Sequence, residues 1–402
     1  KKTLFASRDR LGEKPFLYSY ENDVFSFAST LSGIKPSLLN TEISLSAISS
    51  FFSYEYIPHN ECIYSSVKKL SPAHNLFLNE KGLKIEEYWS LDYRNKISIN
   101  LDDALETTEK IIQSAVEEQL VADVDVGVFL SGGVDSGLIT AIASKAKPGI
   151  KTISMTVPDN DERDESKFAK MISNNHNTNH IEIPMNETSI RDLPKILLDI
   201  EPIGDSSIIP LAFISQFAKK HVSVVLTGDG GDEAFDGYNK PRIAYRANAL
   251  KNSSLFNFFK AVGGPLLKFF SNQRISSIFR SYRSFGTGSY LTAFEGLESY
   301  LETWDATPIQ VKRMIYGGKM KPLLNRRPGE FLIETYKDCL INEDWEGLFA
   351  TQIKTRLPND FLHKVDSGTM LHSLESRAPL LDYRLFEFVA KLPWDILFFD
   401  SN

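Results

Sequence analysis

Hydrophobic and polar positions change period twice along the chain. Over residues 1–90 the apolar residues come in short aromatic and β-branched runs: PFLYSY, VFSFAS and SPAHNLFLNEKGLKIEEYW. Polar punctuation such as RLGEKP, END and NEKG separates them, as it separates hairpin strands. One segment here, LSAISSFFSYEY, reads as a helix. From Leu101 the period becomes helical. LDDALETTEKIIQSAVEEQLVA repeats its apolar residues at helical spacing, and Asp102 and Asp103 stand at its start, where the helix dipole favours negative charge. Strand-like and helix-like runs then alternate: VDVGVFL with GLITAIASKA, KTISMTV with DESKFAKMISNN, then NHIEIPM, SIRDLPKILLDI, IIPLAFISQFAKK and VSVVLTG. That rhythm predicts an α/β fold, a parallel sheet covered by helices. Ligands of such a sheet bind beyond the carboxyl ends of its strands. Residues after about 240 read as largely helical, and no internal repeat or low-complexity tract interrupts them.

The length of 402 residues exceeds what one compact core holds, so two domains are expected. A formal net charge of -7 argues against a nucleic-acid-coating surface, which needs clustered Lys and Arg. No apolar run reaches the roughly 18 residues of an ordinary membrane helix. The two cysteines, Cys62 and Cys339, imply neither a disulfide framework nor a cysteine zinc site and fit a reducing cytoplasm. His176 and His180 have the spacing of metal ligands on a helix, but ISNNHNTNH is too rich in Asn to favour one, and a loop leading into a strand is expected. The opening KKTLFASRDR lacks both an initiator methionine and a signal-peptide core; a fragment of a longer protein is the reading it prompts.

The chemistry concentrates in residues 124–146, VDVGVFLSGGVDSGLITAIASKA. A strand feeds a glycine-rich turn that opens a helix. Free backbone N–H groups and the helix dipole make such a turn anion-receptive. Gly132 and Gly133 allow close approach, and Ser131 and Ser136 add hydroxyls. Neither the Walker A pattern nor G-x-G-x-x-G is present. With Asp135 in place of a lysine, phosphates would need a bridging cation, and Mg²⁺ suits a site of one or two carboxylates plus phosphate oxygens.

These residues resemble the S-G-G-x-D-S pyrophosphate loop of the N-type ATP pyrophosphatases. The segment VVLTGDGGDEAFDGYNKPR, 224–242, and the stretch LPNDFLHKVDSGTMLHSLESRAPLLDYRLFEFVAKLP resemble the asparagine synthetase branch of that superfamily. ASRDRLGEKPFLYSY and IPHNECIYSSVKKLSPAHNLFL resemble the later part of a class II glutamine amidotransferase domain. The resemblance implies an adenine nucleotide α-hydrolase-like domain over residues 91–402, shortened at its C-terminus. It is preceded over residues 1–90 by a partial β-rich N-terminal-nucleophile amidotransferase domain without the family's N-terminal cysteine.

The reaction so implied converts aspartate to asparagine through β-aspartyl-AMP, with ATP and Mg²⁺, the nitrogen coming from ammonia or glutamine; a homodimer is compatible with it. By the same resemblance Leu130, Ser131, Gly132, Gly133, Asp135, Ser136, Met155, Thr227 and Gly228 bind ATP and its pyrophosphate. Asp135 and Asp232 hold the metal, Asp229 and Lys364 are catalytic, and Glu233 and Arg377 bind substrate. Asp229 stands where many relatives have Glu, one methylene longer, and Ser367 stands where a basic residue is frequent after KVD. Two alternatives stay open: a related adenylating amidotransferase or cyclase with another carboxylate substrate, and a nucleotide-binding module without catalysis.

Overall fold

A computed structural model describes residues 3–59, 61–156, 165–185, 198, 200–235, 237, 297–343 and 345–398. The aromatic runs of the N-terminal region form two antiparallel sheets. One has β1 (Leu4–Ser7), β5 (His74–Asn79) and β6 (Gly82–Glu87) in the order β1-β5-β6. The other has β2 (Leu17–Glu21), β3 (Val24–Ala28) and β4 (Lys68–Lys69) in the order β3-β2-β4. The β2–β3 hairpin turns through Asn22 and Asp23, both at positive φ (49° and 61°), the conformation whose twist matches paired strands. Tyr18, Leu70 and Leu76 are buried together. LSAISSFFSY is helical as read, α1 (Leu45–Tyr54), with the Ser44 hydroxyl capping the Ala47 N–H.

The alternating region builds a five-stranded sheet in which every pairing is parallel. Its strands are β7 (Val126–Phe129), β8 (Lys151–Thr156), β9 (Asn179–Pro184), β10 (Val224–Leu226) and β11 (Glu375–Arg377), in the order β11-β10-β7-β8-β9. Both faces are covered, which is why β10 is apolar throughout. Val224 and Leu226 enter a core with Ile112, Val116, Ile139 and Ala143, from α2 (Leu101–Gln119) and α3 (Val134–Ala146). Val225, pointing the other way, packs with Ile153, Ile183 and Ala218. The helix α4 (Ser166–Asn175) precedes β9, and α5 (Ile208–Ala218) precedes β10. The Asn100 side chain caps α2 by accepting from Asp103 N–H at 2.8 Å. The helix read at SIRDLPKILLDI, apart from Leu198 and Ile200, and the helical reading of 238–296 lie outside the described residues.

After the short helix α6 (Gly231–Phe235), the C-terminal part of the described chain is mostly helical. Helix α7 (Glu346–Lys354) runs through a π-helical turn, Leu357–Phe361, into α8 (Leu362–Met370). Pro358 has no N–H to continue the α ladder, and the wider turn accommodates it. The register change sets how α8 presents His363, Lys364 and Asp366. Gly368 lets α8 approach Leu211 of α5, since a Cβ there would sit 3.1 Å from the leucine side chain. The last helix used below is α9 (Tyr383–Lys391).

The two regions are joined through Glu201, buried at 4% exposure. It pairs with Lys69 and accepts the Ile63 N–H at 2.9 Å, while Lys69 also donates to the Ile57 carbonyl at 2.7 Å. Removing one partner of a buried pair leaves an uncompensated charge. We therefore expect Glu201→Ala to cost about 3–5 kcal/mol, read as a lower urea midpoint, and Lys69→Met/Glu201→Met together to cost less than Glu201→Ala alone. An Ala variant as stable as the parent would show that water solvates Lys69 and that the clamp is dispensable.

Candidate active site

Strands β7, β8 and β9 follow one another across the sheet, and the chain then returns to place β10 on the other side of β7. That reversal leaves a crevice at the carboxyl ends of β7 and β10. The loops after these two strands are the two glycine-rich motifs. Register fixes their alignment: Val128 pairs with Leu226, so Phe129 and Thr227, and after them Leu130 and Gly228, leave the sheet at the same level.

In the first loop, Gly133 is the N-cap of α3 and provides no side-chain cap, so the first N–H groups of the helix face the crevice without one. Gly132 has φ +99°, and a Cβ on it would stand 2.7 Å from the Glu165 carbonyl. The two hydroxyls are tied to the loop itself. Ser131 Oγ accepts from Gly133 N–H at 3.2 Å and lies 3.0 Å from Ser136 Oγ. Ser136 is buried, so its hydroxyl shapes the turn rather than lying open to the crevice.

The second loop packs directly on Asp135. A Cβ on Gly231 would lie 2.6 Å from the Asp135 carboxyl carbon, and one on Gly228 would lie 2.8 Å from Ser136 N. Gly230 takes φ +101°. The Asp135 carboxyl is raised above the ordinary carboxylate range, first by burial and then by the charges of Asp232 and Asp229. Among the described residues no lysine or arginine pairs with Asp135 or Asp232. Asp232 is exposed in the first turn of α6, and Glu233 beside it is buried. Asp229 is also raised, by burial, against the opposing effects of the Thr227 hydroxyl and the Lys364 charge. The Thr227 hydroxyl is buried without a well-formed hydrogen bond of its own.

Not every residue singled out from the sequence reaches this crevice in the same way. Lys364 Nζ is bonded to Asp205 Oδ2 at 2.8 Å and still acts on Asp229. Arg377 does not join them. Its guanidinium donates to the Gln119 and Val121 carbonyls at 2.7 and 2.9 Å, at the C-terminal end of α2, and pairs with Glu375 at 2.7 Å. Only its backbone carbonyl touches the motif, accepting the Thr227 N–H at 2.9 Å. The Leu130 N–H is taken by the Ile153 carbonyl at 2.9 Å, which leaves its carbonyl; Met155 is half-buried on β8. His176 caps the end of α4, whereas His180 lies on β9 and bonds Thr152 and Ser154 at 2.9 and 3.2 Å.

Three groups at this site were not singled out from the sequence: Glu13 and Lys14 of the N-terminal region, and Asp366 of α8. They line a small cavity together with Thr227 and Asp229. Lys14 Nζ donates to Asp366 Oδ1 at 2.7 Å. The only sequence signal was the charged pair inside RLGEKP, which reads equally well as a polar turn.

The residues present fit a divalent cation completed by phosphate. Two carboxylates, Asp135 and Asp232, share the crevice without a cationic partner among the described residues, and no cluster there of three or more His, Cys, Asp or Glu side chains forms a closed metal cage. A cation held by few carboxylates and several phosphate oxygens matches that donor set.

A family model described as asparagine synthase matches residues 107–402, and one described as a glutamine amidotransferase domain matches residues 1–89. An asparagine synthetase [glutamine-hydrolyzing] 1 of Bacillus subtilis is 29% identical over 97% of this chain and 60% of its own length. A putative asparagine synthetase [glutamine-hydrolyzing] 2 of Methanocaldococcus jannaschii is 33% identical over 65% of this chain and 52% of its own length. The chain thus spans about 60% of the length of the first of these relatives. An NH3-dependent NAD synthetase from Campylobacter jejuni aligns with 51% of this chain and 96% of its own at 14% identity and a TM-score of 0.26.

The contact between the two loops generates a test. Gly231→Ala should displace the Asp135 carboxylate and weaken binding of magnesium ATP by about tenfold, or 1.4 kcal/mol, measured by calorimetry. Gly317→Ala, where nothing lies within 4 Å of the added methyl, is the control. Equal affinity in the two variants would mean that Asp135 does not face the nucleotide.

Proposed function

The chain belongs to the asparagine synthase family, and from that premise we propose that it is an ATP-dependent amide-forming ligase that activates aspartate as β-aspartyl-AMP. The observation that carries this reading is the meeting, at the sheet's switch point, of an uncapped helix start with Asp135, Asp229 and Asp232. Each has a separate task. The backbone N–H groups of Gly132 and Val134 bind the phosphates and stabilise charge that grows on the departing pyrophosphate. Asp135 and Asp232 would hold Mg²⁺, which when bound would neutralise phosphate charge. The substrate carboxylate attacks the α-phosphorus, and pyrophosphate leaves.

In the second step a nitrogen nucleophile, from ammonia or glutamine, attacks the acyl carbon, and AMP departs. Asp229 takes a proton from that nitrogen. Its burial supports the role, because a carboxyl raised above its ordinary range is a stronger base than a solvated one. Lys364 offsets negative charge between Asp205 and Asp229. Glu233, buried one residue beyond Asp232, would meet the ammonium of the amino-acid substrate. Leu130 and Met155 flank the adenine at the β7 and β8 ends. Arg377 acts through the backbone, by fixing Thr227.

Aspartate-dependent exchange of labelled pyrophosphate into ATP tests the first step. We expect exchange with aspartate and magnesium, and loss of it by about two orders of magnitude or more in Asp135→Asn, the scale of removing one electrostatic contributor to such a transition state. Exchange driven by a different carboxylate would reassign the substrate, and no AMP or exchange with any carboxylate would favour a binding module.

The second step separates from the first at Asp229. Asp229→Asn keeps shape and turn-forming ability but takes no proton. It should retain exchange and lose amide formation by about 10²-fold or more. Parent-rate amide formation by this variant would leave Asp229 with only a turn-closing role.

A further inference from the structure

The loop of residues 8–14 carries part of the N-terminal region into the synthetase crevice. It is held firmly. Arg8, buried, donates to the carbonyls of Lys14, Leu70 and Gly12 at 2.8, 2.6 and 3.0 Å. The Asp9 carboxylate accepts the N–H groups of Glu13 and Lys14 at 2.7 and 3.0 Å. Gly12 turns the chain at φ +79°, with a Cβ there meeting Pro72 at 2.8 Å. The backbone of Glu13 is therefore fixed on both sides. Its carboxylate accepts no hydrogen bond among the described residues and lines the same cavity as Asp229, Thr227, Lys14 and Asp366. The cavity measures about 10 Å³, room for one water-sized molecule.

We propose that Glu13 is a second proton acceptor of the amination step, deprotonating ammonium in this cavity beside Asp229. The inference rests on the reaction read above for that site. Its chemistry follows from counting protons. A nucleophile that arrives as ammonium must lose one proton before it has a lone pair. That pair forms the C–N bond, and the bond from the acyl carbon to the AMP oxygen breaks with its electrons leaving on AMP. The new nitrogen is cationic and must lose a second proton. Asp229 accepts one of the two, so a second base within reach is required, and Glu13 is the carboxylate placed to be it.

The electrostatics agree with the geometry. Burial raises the Glu13 carboxyl to about 7, with Asp9, Asp366 and Asp229 adding to the rise and Lys14 opposing it. The carboxyl is protonated below that pH and becomes an acceptor above it. A group that titrates near neutrality both takes and releases a proton there. The negative surroundings also favour a cation the size of ammonium.

The test compares nucleophiles in the full chain. Glu13→Gln should keep aspartate-dependent pyrophosphate exchange but lose ammonia-dependent amide formation by about tenfold or more at neutral pH. The defect should shrink as pH rises and free ammonia replaces ammonium. Hydroxylamine, neutral at pH 7, needs one proton acceptor rather than two, so its use should fall much less. Glu13→Asp, which keeps a carboxylate, should recover part of the ammonia rate and the rise in rate around pH 7. Parent-like ammonia use by Glu13→Gln overturns the proposal. So does an equal loss with both nucleophiles that Glu13→Asp shares, since that is the signature of a structural role. A parent without aspartate-dependent exchange would overturn the underlying reaction, and this inference with it.

Discussion

The site depends on one close approach, that of the Asp135 carboxylate to the glycines of the neighbouring strand's loop. Gly228 and Gly231 leave no space for a side chain between the loops, and a single methyl on Gly231 would fall 2.6 Å from the carboxyl carbon. The sheet makes this approach possible, because β7 and β10 are adjacent parallel strands whose loops leave at the same level. Their packing brings Asp135 into the field of Asp229 and Asp232 at a cost in charge repulsion and lost hydration. Such strain persists only where the surrounding structure determines it, and the cores on both faces of β10 do so here.

Helix α8 supplies the opposing charge. Without the π turn at Leu357–Phe361, the residues of α8 would face differently toward α5 and the sheet. With it, Lys364 reaches Asp205 while acting on Asp229, and Asp366 meets Lys14 from the N-terminal region. The same helix packs on α5, whose preceding residues carry the Glu201 clamp. Positioning of the lysine is thus coupled to the join between the two regions, through packed side chains rather than through any one bond.

Much of this was legible in the sequence, for identifiable reasons. The parallel sheet showed itself because buried strands are apolar without alternation, as VGVF and VVL are, and because glycine, serine and aspartate cluster where β7 and β10 end. Side-chain direction was less legible. Arg377 sits inside a motif beside the crevice, yet its guanidinium turns to the end of α2, where three bonds hold it. Nothing in SLESRAPLL tells which way that residue faces on a short edge strand. Likewise Ser136 promises a phosphate ligand by its place in the loop, but the hydroxyl is buried and bonded within the turn. Glu13 stayed hidden because its significance comes from α8 and the β10 loop, which only the fold brings beside it.

On the proposed reaction, one crevice would serve two chemically opposed steps. Making an acyl phosphate gathers anions, so carboxylates there are useful only when a cation compensates them. Removing protons from a nitrogen needs carboxylates that no cation has claimed. On that reading the fold separates these demands by burial and by placing the carboxylates on two neighbouring motifs. Asp135 and Asp232 border the start of α3, whose N-cap Gly133 supplies no side-chain cap, where phosphate is proposed to bind. Asp229 turns inward, beside a cavity closed by Leu362, Val365 and Leu381, where Lys364 tempers its charge without a direct bond. Glu13 extends that inner set from a different part of the chain. The segment TGDGGDE can carry a member of each set because Asp229 lies in the glycine turn before α6 and Asp232 in the first turn of that helix, whereas in one continuous helix residues three apart would share a face.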